Sequence, residues 1–249
     1  MTEPHTGDRV LLFDDRISMD RAAADLVAEG SEKAIRERGK FSVALSGGST
    51  PRGLYTLLAS AACRDRIEWT RTHVFWADER CVPPDREDSN YRLAAELLLS
   101  KVTLPQGHIH RMHGEDDPAT AAVAYDKELR SFFGGGPFTF DLIILGVGAD
   151  GHTASLFPGE PAVTETGRLA VSVPAAGRRK TRITLTLPAI NAAREVLFLV
   201  AGDEKAPMVR DVIEGRSAFG YPAGLVRPVR GNLIWYLDTA AASMMRAIS

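Results

Sequence analysis

Short apolar runs alternate along this chain with stretches in which apolar residues return every three or four positions. The runs at 10–13, 41–45, 72–76, 140–145, 196–200 and 233–237 predict β-strands, each bounded by polar or turn-forming residues. Between them, 20–38 sets Ala23, Leu26, Val27 and Ile35 on one side of a helix. Helices are also predicted from Pro51 to Leu58, over 90–99 with Leu93, Leu97 and Leu98 apolar, over 119–133, and from about 205 to 213. Segments 169–173 and 182–187 alternate apolar and polar residues, as antiparallel strands do. Strands separated by helices imply βαβ units, hence an α/β fold with a mostly parallel sheet flanked by helices. The Gly-Gly-Gly-Pro run at 134–137 closes a helix and is too short for a linker, so residues 1–249 read as one domain.

Composition narrows the function. The 249 residues are 45% hydrophobic and 25% charged, ample for a buried core, with a net charge of −2 and interspersed signs. No basic stripe points to nucleic acid, and no apolar run approaches the ~18 residues of a membrane span. The polar start, MTEPHTGDRV, lacks a signal-peptide core. Cys63 and Cys81 have no metal or redox spacing. The expectation is a cytoplasmic protein, a monomer or small homo-oligomer, working on a small molecule rather than on nucleic acid or membrane.

Four polar groups follow predicted strands, and in a parallel sheet they would crowd one edge, where ligands of open α/β sheets bind. After 41–45 comes Ser46-Gly47-Gly48-Ser49-Thr50. It is either an anion cradle at a helix start or a plain strand-to-helix turn, and it matches neither GxxxxGK nor GxGxxG. After 72–76 comes Asp78-Glu79-Arg80, a solvated ion pair or a buried acid with an arginine free to fork onto a phosphate. After 142–145 comes Gly146-Val-Gly-Ala-Asp150-Gly-His152, which brings an acid and an imidazole together. That histidine is either a structural donor or a proton-transfer group. After 196–200 comes Lys205, a surface lysine or a phosphate ligand. Arg178, Arg179 and Lys180 add a positive run before 182. The His108, His110 and His113 spacing does not set three metal ligands on one helix face, and neither Ser49 nor Ser155 lies in a GxSxG elbow.

Taken in order, SGGSTPRGLY, FWADERCVPPDREDSNY, DLIILGVGADGHTASLFPG, TRITLTLPAI and VAGDEK resemble the 6-phosphogluconolactonase branch of the glucosamine-6-phosphate isomerase/6-phosphogluconolactonase family, from about Ser46 to Lys205. The resemblance implies a modified Rossmann-like sheet shared with glucosamine-6-phosphate deaminase, ribose-5-phosphate isomerase and coenzyme A transferases. It implies hydrolysis of a sugar-phosphate lactone without metal or organic cofactor. Carried over, His152 is the base, Asp78 and Arg80 the acid and ligand-binding arginine, and Gly47 and Gly48, with Ser49 and Thr50, line the substrate. Either Asp150 or Asp78 orients the imidazole, Arg80 and Lys205 hold the phosphate, and Arg178 or Arg179 (Arg179 preferred) adds a cation. Asn90 and Tyr91 match the pattern without an assignable role. Related deaminases continue GHIAFNEP, with a glutamate where this chain has Phe157, so its segment GHTASLFP favours lactone hydrolysis. A non-catalytic sugar-phosphate sensor is the remaining alternative.

Overall fold

Asp15 starts the first helix. Its side chain accepts from Ser18 N at 2.7 Å while Ser18 Oγ bonds back to the Asp15 backbone, and this reciprocal cap begins α1 (Arg16–Arg38) four residues earlier than apolar periodicity indicates. Gly39, at φ 78°, ends it in the left-handed conformation. The computed structural model describes residues 8–134, 138–177, 179–215 and 220–246. Gly135 to Pro137 and Arg178 therefore lie outside the described residues, although Gly134 N does donate to Arg130 O at the end of its helix.

The remaining elements follow in chain order around α1: β1 (Asp8–Phe13), β2 (Phe41–Leu45), α2 (Arg52–Leu58), α3 (Ala61–Arg64), β3 (Thr72–Trp76), β4 (Asp78–Arg80), α4 (Asn90–Leu97), β5 (Ile109–His110), α5 (Pro118–Phe133), β6 (Leu142–Leu145), β7 (Ala170–Val173), β8 (Arg182–Leu185), α6 (Leu187–Asn191), β9 (Glu195–Val200), α7 (Ala206–Ile213) and β10 (Asn232–Asp238). Seven strands form a parallel sheet in the order β1-β10-β9-β6-β2-β3-β5. The sheet is apolar on both faces. Ile143, Leu145, Phe198 and Trp235 pack with α5 and α7, while Leu142, Ile144, Leu197 and Ile234 pack with α1 and α2. This double burial explains why the central strands read as mostly apolar runs rather than as alternating ones.

The expected antiparallel pair exists: β7 and β8 pair with Ala170 opposite Leu185 and Val173 opposite Arg182. The Asp78-Glu79-Arg80 segment, expected as a loop, is instead the third strand of this small sheet, antiparallel to β8. The chain leaves the main sheet at Ala77, whose N–H still bonds Leu45 O at 2.8 Å while its carbonyl accepts from Leu185 N. Strand order reverses between β2, which leads on to β3 and β5, and β6, which leads on to β9. Beyond the carboxyl ends of these two strands lies the switch-point crevice of an open parallel sheet.

Candidate active site

The loops after β2, β6 and β9, together with β4 and β8, enclose a cavity of about 540 Å³ at that crevice. Its lining includes Ser46 to Thr50, Asp78, Arg80, Asn90, Gly146 to Gly148, His152, Gly202 and Lys205, which brings the four sequence-predicted groups together. Arg16, Arg182 and Asp238 join them.

His152 sits in a tight turn: Gly148 N donates to His152 O at 2.9 Å and Gly151 N to Gly148 O at 3.0 Å. A Cβ on Gly148 would lie 2.1 Å from His152 Nδ1, so the ring reaches its position only over a glycine. Nδ1 stands 2.6 Å from Asp150 Oδ1. A carboxylate only accepts, so Nδ1 carries the proton and Nε2 is the basic nitrogen. Burial would raise the Asp150 pKa, but the hydrogen bond and charge of His152 outweigh it and hold the carboxyl below its ordinary value. Of the two candidate acids it is Asp150 that contacts the imidazole, while Asp78 bonds Ser155 and Asn90. On its other side the ring meets buried Phe157, centroids 4.6 Å apart.

Asp78 is 5% exposed and serves the frame of the site. Its Oδ2 accepts from Ser155 Oγ at 2.6 Å, its Oδ1 from Asn90 Nδ2 at 3.0 Å, and its carbonyl from the same amide at 2.8 Å. Glu79 accepts from Arg80 N, Asn90 N and Tyr91 N, each at 2.7 Å, and from Ser89 Oγ at 3.0 Å. Burial raises its pKa against these hydrogen bonds. The roles of Asn90 and Tyr91 follow: both tie α4 to β4. Asn90 also packs on the glycine loop, where a Cβ on Gly47 would lie 1.7 Å from its Oδ1.

Arg16 donates to Ser49 O and Thr50 O, both at 2.5 Å, fixing the loop from α1. Ser46 Oγ donates to Ile144 O and Tyr55 OH to Ser46 O, both at 2.6 Å. Lys205 follows β9 and lies 3.6 Å from Glu204. Gly202 N donates to Asp238 at 3.1 Å. Arg80 and Lys205, expected to share one phosphate, both line the cavity, and the strands that lead to them, β3 and β9, have β2 and β6 between them in the sheet. Arg179 is absent from the lining: its guanidinium bonds Glu160 at 2.5 Å and covers the Phe157 ring at 3.8 Å. Arg16 and Arg182 were invisible as site residues because one lies in an unremarkable helix start and the other in an alternating strand.

A sequence family described as glucosamine-6-phosphate isomerases/6-phosphogluconolactonase matches residues 14–235. The chain belongs to this family. Among its members, a 6-phosphogluconolactonase of Synechocystis sp. is 43% identical over 241 residues, covering 95% of this chain and 97% of the relative. A crystal structure of a devB protein superposes with TM-score 0.87 at 35% identity, covering 95% of this chain and 98% of that one. The 6-phosphogluconolactonase of Trypanosoma brucei superposes with TM-score 0.84 at 28% identity, covering 95% and 98%. Away from the site, His73 stacks on His108 at 3.8 Å, and His110 Nδ1 lies 2.7 Å from Glu128. Among the described residues no group of three or more His, Cys, Asp or Glu is placed to hold a metal ion, and no helix is long and apolar enough to cross a membrane.

Proposed function

We propose that this protein hydrolyses 6-phospho-D-glucono-1,5-lactone to 6-phospho-D-gluconate, in the oxidative pentose phosphate pathway. The observation that carries the reading is the Asp150–His152 pair, opening into one cavity with cations on both sides. Phe157 supports it, since a buried ring occupies the place of the carboxylate that amino-sugar ring opening would use.

The loop of Gly47, Gly48, Ser49 and Thr50, steadied by Arg16, holds the phosphate with Lys205. The lactone ring then points toward β4, with C1 beside His152 and Arg80. Nε2 takes a proton from water, whose oxygen attacks C1, and the carbonyl electron pair moves onto its oxygen. General base catalysis of this kind contributes about 10² to 10⁴ in rate. Collapse breaks the bond between C1 and the ring oxygen, which takes the proton back from the imidazolium. The new carboxylic acid ionises, so one proton is released for each lactone opened. No covalent intermediate, metal or organic cofactor is called for. Asp150 holds the ring, Asp78 the wall of the site, and Arg179 the Phe157 ring behind the histidine. The chain acts as a single cytoplasmic α/β domain, as a monomer or small homo-oligomer, on a small molecule.

The test generates the lactone fresh with glucose-6-phosphate dehydrogenase and follows acid release with and without the protein. Acid release above the spontaneous rate is expected. Ammonia release from glucosamine 6-phosphate, with no effect on the lactone, would overturn the reading.

A further inference from the structure

The antiparallel register of β4 and β8 sets Arg80 directly opposite Arg182. Like charges facing each other across paired strands repel. Both residues line the cavity, and each has a buried Nε without a hydrogen-bond partner. Arg80 donates from Nη1 to a neutral acceptor, Asp88 O, at 2.5 Å. Arg182 reaches a carboxylate only at 3.6 Å, and that oxygen, Asp78 Oδ2, already accepts from Ser155. Glu79, the next acid, spends both oxygens on backbone N–H groups and on Ser89. Burial lowers the pKa of Arg182. Asp78 opposes that shift, and the charges of Arg80 and Arg179 add to it. Of the two guanidiniums only Arg182 comes within 4 Å of a carboxylate among the described residues, and that carboxylate is already occupied. An anion between them would relieve the repulsion and satisfy the idle donors.

The position of the pair says which anion. Strand β3, which runs into β4, is three places from β9, which leads to Lys205, or roughly 14 Å at about 4.8 Å per strand. The arginine pair is therefore a second positive pole, away from Lys205. It adjoins the segment of the base: Ser155, three residues beyond His152, bonds the carboxylate beside Arg182.

We propose that Arg182 is a catalytic residue which, with Arg80, forms a second anion subsite for the oxygen on C1. The inference rests on the lactonase reading and deepens it. The lactone is uncharged at C1. The tetrahedral intermediate carries an alkoxide there, and the product carries a carboxylate. No bond to arginine forms or breaks. The pair favours the intermediate over the substrate, which is what raises turnover. It also makes the site a receptor for a ligand with two anionic ends, a 6-phosphoaldonate, in preference to a polyol phosphate of the same length.

The test is calorimetric binding of 6-phosphogluconate and glucitol 6-phosphate, which differ only in oxidation at C1. Wild type should bind 6-phosphogluconate more tightly by about tenfold or more, as a charge-assisted forked contact implies. Arg182→Gln should erase most of that preference, leave glucitol 6-phosphate binding within about twofold, and lower kcat by roughly 10²-fold with little change in KM. Arg182→Lys, which keeps the charge without the fork, should keep part of the preference. Equal binding of the two ligands by a wild-type protein that hydrolyses the lactone overturns the Arg182 assignment alone, without recourse to any variant. If neither ligand binds and the lactone is untouched, the lactonase reading itself falls.

Discussion

Replacing Gly47 by Ala tests the packing that shapes the substrate loop. The new Cβ would stand 1.7 Å from Asn90 Oδ1, 2.2 Å from its Cγ and 2.8 Å from its Nδ2. Asn90 is 1% exposed and is held in place by its amide. Moving it gives up its amide bonds to the Asp78 carbonyl at 2.8 Å and carboxylate at 3.0 Å. A neutral and a charged hydrogen bond together are worth about 3 kcal/mol. Moving the loop instead strains the bonds of Ser46 to Ile144 O and of Tyr55 to Ser46 O, each 2.6 Å. At about 2–4 °C per kcal/mol for a domain of this size, Tm should fall by roughly 6–12 °C. A loop displaced by about 1 Å should cost on the order of 10² in kcat/KM. Thermal unfolding and the coupled lactone assay measure both. Asn90→Ala removes the obstructing amide, so in that background the same Gly47→Ala change should cost less by about 1 kcal/mol or more. A Gly47→Ala protein with wild-type Tm and kcat/KM, or an equal penalty in both backgrounds, would refute the argument.

Asp150→Asn removes the charge that holds His152 at 2.6 Å; because the carboxylate is half-exposed, kcat/KM should drop by only about tenfold with KM nearly unchanged, and a KM effect alone would contradict the orienting role. Glu79→Gln turns an amide N–H₂ toward donors the carboxylate now satisfies, so the urea midpoint should fall by the equivalent of about 1–3 kcal/mol; an unchanged midpoint would deny Glu79 its place as the tie between β4 and α4. Burial, helped by His108, His110 and Lys40, pushes the His73 pKa from 6.5 down to about 4. Below pH 6.5 the unfolded chain therefore binds a proton that the folded ring refuses, and stability should fall as pH drops toward 4, by about 1–2 kcal/mol after allowance for water at this half-buried ring. His73→Phe should flatten that decline in urea titrations; a decline of the same size in the variant would show that other groups cause it.

The parts of the fold written in apolar patterning were legible in the sequence. β2 and β3 run over the residues their apolar runs indicate, because both strands are enclosed between helix layers and most of their buried positions are apolar. β4 was not legible: Asp78-Glu79-Arg80 has no strand signal, and its pairing is supplied by β8, far along the chain. β5, two residues long, is too short to show any period. In the site, the Asp150–His152 pair was readable because both members lie in one turn. Arg16 and Arg182 were not, since each becomes a site residue only through contacts with distant loops. Asn90 matched a pattern without a role because its role is steric, against Gly47. Arg179 was expected at the ligand from the family resemblance; in the structure Glu160 and Phe157 engage it.

The most direct measurement of the central claim compares wild type with His152→Ala for acid release from freshly made lactone, alongside glucitol 6-phosphate binding as a check that the phosphate cradle is intact. The variant should retain binding and lose about 10²- to 10⁴-fold in turnover, falling toward the spontaneous rate. Turnover near that of wild type would contradict a water activated by this imidazole.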